Sequence, residues 1–144
     1  MEGSVAYRAG QLRARIAGDV RAVHGAASTA LWQDIRDVRA LVGHRGDIWR
    51  LSVLPTDGAD IAAQLCADPQ ADVVYDWGGG LIWAALPAGS ADDVARAVRG
   101  RGAAIKLRGA SAAPFAAQEA GVASLTAGLK AQFDPRHILN QGLM

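Results

Sequence analysis

The chain has almost no cysteine, little lysine and no long apolar run, and each shortage excludes something. Cys66 is the only cysteine, so no internal disulfide can form, a usage that fits a reducing cytoplasm. Lysine is confined to Lys106 and Lys130 while arginine is abundant, which reads as coding bias. The longest apolar run, Leu81–Leu86, is far short of the ~20 residues a bilayer-spanning helix needs. The first residues, "MEGSVAYRAGQLRARI", have neither the apolar stretch nor the small-residue cleavage site of a secretory signal. A net charge of +1 lacks the basic excess of a duplex-binding protein, so no nucleic acid is expected as a partner. His24, His44 and His137 show no ligand-like spacing, and Cys66 is expected on a buried helix face; no metal site is expected. No G-x-S-x-G occurs either.

What is present suits one domain of 144 residues, large enough to bury a core. Val5, Ala9, Leu12 and Ile16 share a helical face, with Gly18 as a stop. An extended piece, Asp19–His24, leads to Ser28, placed to cap a helix that carries Leu31, Trp32, Ile35 and Val38. Asp47–Leu54, "DIWRLSVL", reads as a strand ended by Pro55. Thr56 can cap the next helix, with Ile61, Ala62, Leu65 and Cys66 on one side and Asp68-Pro69 as its stop. Val73–Trp77 and Leu81–Leu86 are strands separated by three glycines. Ser90 and Asp93 resemble a capping box for a helix bearing Val94 and Val98, and Ala103–Arg108 is a fourth strand. The order is strand, helix, strand, strand, helix, strand. The expected class is therefore α+β: an antiparallel sheet with both helices on one face, a ferredoxin-like βαββαβ core over about 47–108. A helix over Gln118–Gln132, a turn-rich tail over Phe133–Met144 and N-terminal helices extend it.

Alternation along the first strand makes the site prediction. Trp49, Leu51 and Val53 point one way and Ile48, Arg50 and Ser52 the other. The apolar set belongs under the helices, so Arg50 and Ser52 project from the opposite face. By the same count Ile105 and Leu107 would turn inward and Lys106 and Arg108 outward, with Tyr75, Trp77 or Trp83 nearby. Such a cationic, aromatic-flanked face suits a carboxylate or an anionic cofactor, because arginine offers a two-pronged donor fork. The competing reading leaves Arg50 solvated or paired with Asp76.

The glycine run Gly78-Gly79-Gly80 raises the question of a phosphate loop. Trp83 stands where a dinucleotide fingerprint needs its third glycine, and a strand follows instead of a helix. The run reads as a hairpin tip with positive φ.

Five segments in the same order carry a resemblance along nearly the whole chain: "EGSVAYRAGQLRA", "LWQDIRDV", "IWRLSVLPTDG", "YDWGGGLIWAALP" and "LKAQFDPRHILNQGLM". Together they resemble the C-terminal half of an FAD-binding subunit of bacterial glycolate oxidase. That protein belongs to the flavoprotein family of vanillyl-alcohol oxidase and D-lactate dehydrogenase. The resemblance implies that 1–144 is a single cap-type domain without the N-terminal FAD-binding domain, inactive alone. In its complex it would serve FAD-dependent oxidation of a small 2-hydroxy acid, glycolate to glyoxylate. Its partners would be a flavin-binding domain or subunit and an iron–sulfur subunit, in the cytoplasm and peripheral to the inner membrane only through that complex. Arg50, Ser52 and Asn140 would be the cofactor- or substrate-facing residues, Asn140 within a flavin-proximal tail over 133–144. The chain departs from the family pattern after Asn140, where Gln141, Gly142 and Leu143 replace Pro, Gly and Arg. A cap sheet that rests on another domain should also expose apolar surface and tend to self-associate. Fold analogy alone offers an alternative, a stand-alone small-molecule-binding regulatory module.

Overall fold

The computed structural model describes residues 2–109, 114–139 and 141. The chain divides after Asp37 into two units. The first holds α1 (Glu2–Arg15) and α2 (Gly25–Arg36). Ser28 lies inside α2 and does not cap it: His24, extended at φ −129 and ψ 161, is the N-cap. The alanines at 26 and 27 are strong helix formers and carry the helix back beyond the serine. Val5, Ala9 and Leu12 lie on α1 and Leu31, Trp32 and Ile35 on α2 as expected, but Ile16 follows the end of α1 and Val38 follows α2, left-handed at φ 48. Val5, Leu12, Ile16, Leu31, Trp32 and Ile35 are all exposed. Among the described residues no helix is long and apolar enough to cross a membrane.

The second unit carries the sheet: β1 (Asp47–Val53), α3 (Gly58–Leu65), β2 (Asp72–Asp76), β3 (Leu81–Leu86), α4 (Ala91–Val98) and β4 (Gly102–Arg108), then α5 (Ala120–Phe133). The strand order β2-β3-β1-β4, with every pair antiparallel, is the ferredoxin-like arrangement expected from the element order. Trp49 and Leu51 of β1, Ile82, Ala84 and Leu86 of β3 and Ala104 of β4 face the helices. There they meet Ile61, Ala62 and Leu65 of α3 and Val94, Ala97 and Val98 of α4. Ser90 is the N-cap residue of α4 but makes no side-chain cap bond. Its hydroxyl instead accepts from the buried Trp49 indole at 3.1 Å, satisfying a donor that would be costly to leave bare.

The phase of β4 differs from the expectation. Lys106 lies opposite Trp49 on the helix side, with its side chain 3% exposed, while Ile105 lies opposite Arg50 on the other face. A bulge between Ile48 and Trp49 then shifts the register so that Arg108 pairs with Ile48. The extra residue, Leu107, lets Lys106 point inward and Arg108 outward, which an unbroken alternation forbids. Inside, the Lys106 ammonium stands 3.6 Å from Asp47 and 4.9 Å from the Trp49 ring centroid. Asp47 also accepts from the Gly89 amide at 3.2 Å. Backbone crowds the pair, since a Cβ on Gly109 would lie 2.2 Å from the Asp47 carboxylate.

Removing one member of a buried ion pair strands the other charge. Asp47→Ala should therefore cost about 3–5 kcal/mol in urea unfolding, and the double variant Asp47→Asn/Lys106→Met should come within about 1 kcal/mol of the parent.

Candidate functional site

The face of the sheet away from α3 and α4 holds the predicted site. Ladder partners project to the same side, so Val74, Trp83, Arg50 and Ile105 form one row across the strands. Phe115 extends the row by an isolated bridge to Ile105. The Arg50 guanidinium carbon lies 5.4 Å from the Trp77 ring centroid and 5.9 Å from that of Trp83, both within cation–π range. Among the described residues Arg50 makes no hydrogen bond or ion pair. Two indoles, and no carboxylate among the described residues, are its partners. Ser52 lies one row further along the same face, exposed, opposite Leu81 and Ala103.

The other expected members of this face divide. Arg108 is on it, but its guanidinium donates to the Val42 carbonyl at 3.3 Å and to the His44 carbonyl. His44 in turn pairs with Asp72 at 2.8 Å, so this end of the face is tied to the segment before β1. Lys106 is on the opposite face, as described. Tyr75 lies opposite Ile82, on the helix-covered side, and does not join the arginine. Asp76 does not pair with Arg50; its carboxylate accepts from the Trp77 amide at 2.7 Å. Asn140 lies outside the described residues.

The glycine run is a hairpin tip, as the flanking residues predict. A 3₁₀ turn over Trp77–Gly79 joins β2 to β3, with φ 63 at Gly78 and φ 97 at Gly79. The strand that follows cannot present the helix N-terminus that a diphosphate needs. Sequence reasoning missed that Trp77 itself is left-handed, at φ 51, and nothing in the residue type signals it.

Cys66 closes α3 as an exposed C-cap residue rather than on a buried face. Partial burial, and then the charge of Asp72, push its thiol above the ordinary range, which keeps it a weak nucleophile at neutral pH. In the tail, Asp134 is 4% exposed. It accepts from the amides of Ile138 at 2.9 Å and Leu139 at 3.0 Å, and Lys130 stands 3.6 Å away. Burial by itself raises this carboxyl, but the two backbone donors, with Lys130 and His137, outweigh it and hold it below the usual carboxylate value.

What the Arg50 arrangement can do chemically is hold a planar anion by its edge. Two indoles stand within cation–π range of the guanidinium, and its N–H donors, without a partner among the described residues, can make a two-point contact. Comparison with protein-family models, with curated proteins and with solved structures finds no match to this chain.

A carboxyl depressed in the folded state stabilises above its unfolded pKa of about 3.9, and that stabilisation is lost as pH falls through the folded value. The Ile138 and Leu139 amide resonances should therefore hold their positions down to about pH 4 and shift together below it. In Asp134→Asn that acid transition should disappear.

Proposed function

We propose that this chain is the substrate-facing cap module of an FAD-dependent 2-hydroxy-acid oxidoreductase of the glycolate oxidase type. The observation that carries the reading is Arg50, without a hydrogen bond or ion pair among the described residues and within cation–π range of both Trp77 and Trp83 on the helix-free sheet face. The motif resemblance supports the same reading. Glycolate presents a small carboxylate, and the Arg50 fork matches its two oxygens. Trp77 and Trp83, within cation–π range of the guanidinium, would flank that contact. Ser52, on the same face, is placed to accept or donate a hydrogen bond beside the carboxylate.

The residues present fit the substrate side of such a centre. The run Gly78–Gly80 is a hairpin tip, so a companion flavin-binding domain or subunit would hold the dinucleotide. Bound FAD would supply the two-electron oxidant for the α-carbon; this chain's part is to bind the carboxylate, orient it and exclude water. An iron–sulfur subunit would complete the complex. The same reading puts the module in the cytoplasm, at the inner membrane only through its partners.

Glycolate titrated into the purified chain should change tryptophan fluorescence saturably, and Arg50→Gln should weaken the apparent affinity by about tenfold or more. With a flavin-binding subunit of this type added, glycolate-dependent reduction of a dye should require the chain and fall in Arg50→Gln. Equal affinity in Arg50→Gln, or no carboxylate binding, would sink the reading.

A further inference from the structure

We infer that Asp76 is a positioning residue for the Arg50 site, acting through a strained Trp77; this rests on the carboxylate-binding reading. Tryptophan at φ 51 is an outlier for a bulky side chain, and such conformations persist only where the surroundings over-determine them. Here they do. The Asp76 carboxylate accepts from the Trp77 amide at 2.7 Å. The Gly80 amide bonds the Trp77 carbonyl at 3.2 Å, and the Val53 amide bonds the Gly80 carbonyl at 2.9 Å. A Cβ on Gly58 would lie 2.2 Å from the Gly79 carbonyl oxygen, so the tip is seated against the start of α3 at backbone distance.

The tip is thus held from behind by β1 and α3 and from the β2 side by Asp76. The left-handed Trp77 between them aims its indole at the guanidinium, although the residue is 62% exposed and has little other packing to hold it. A relaxed, extended Trp77 would swing the ring away and leave Arg50 with Trp83 alone. Asp76, the candidate counter-ion of Arg50 in the competing reading, serves it indirectly: its carboxylate bonds the Trp77 amide instead of the guanidinium and fixes one wall of the site.

The test is a set of variants with two readouts. The first is the Arg50 Nε–H proton resonance, which the indole ring current displaces; the second is glycolate affinity by fluorescence. Asp76→Ala should return the resonance toward the unshifted position and weaken glycolate binding by about tenfold. Asp76→Asn, whose amide oxygen still accepts the bond, should restore both to within about twofold. Trp77→Gly should relieve the backbone, leaving the thermal midpoint at or above that of the parent while affinity falls. Unchanged resonance in Asp76→Ala, Asn behaving like Ala, or a lowered midpoint in Trp77→Gly would each overturn the inference. Should the parent fail to bind glycolate, the carboxylate reading is lost, and the Arg50 resonance in Asp76→Ala still decides whether Asp76 sets the wall.

Discussion

Strand β1 is hydrogen-bonded on both sides, to β3 and to β4, so its two-residue alternation is imposed on its neighbours. Trp49 and Leu51 are fully buried toward the helices, and Arg50 between them has to project from the other face. A slip of one residue would bury the arginine and expose the tryptophan. The core that fixes β1 therefore also presents the guanidinium. The Asp47–Lys106 pair belongs to the same constraint: it lies at the start of β1 and near the end of β4, among glycines that tolerate the close approach of backbone and carboxylate.

The hairpin tip shows how glycines and one carboxylate combine. Gly78 and Gly79 accept positive φ without steric cost, and Gly58 permits a backbone contact that a side chain would block. The positive φ falls also on Trp77, whose indole stands 5.4 Å from the Arg50 guanidinium carbon. Backbone strain located where two chemical demands conflict is a common mark of functional geometry.

Much apolar surface is left over. Beyond the stripes of α1 and α2, Val122, Leu125, Leu129 and Phe133 of α5 are exposed, and so are Ile138 and Leu139 after it. No residue of α2 or α5 is buried. Helices of this composition draw most of their stability from packing an apolar face. Exposed apolar surface is itself an expectation, and these side chains supply it.

By itself the sequence determined the local elements and most of the architecture. Two strands broken by three glycines, proline stops and the apolar spacing in α3 and α4 led to βαββαβ, because those signals are local and agreed with one another. It also determined the outward face of Arg50, since the inward partners Trp49 and Leu51 admit no other phase. Only the tertiary structure decided the direction of Lys106. In "AAIKLR" the phase Ala103, Ile105 and Leu107 is wholly apolar, so alternation alone turns Lys106 outward; its inward direction depends on Asp47, distant in sequence, and on the bulge at Leu107. It decided equally that Trp77 joins Trp83 around Arg50 while Tyr75 turns away, and that Asp76 holds the turn instead of the arginine. Those outcomes depend on a bulge, on the conformation of the turn and on contacts between strand ends, helix starts and glycines, none of which the alternation along one strand can show.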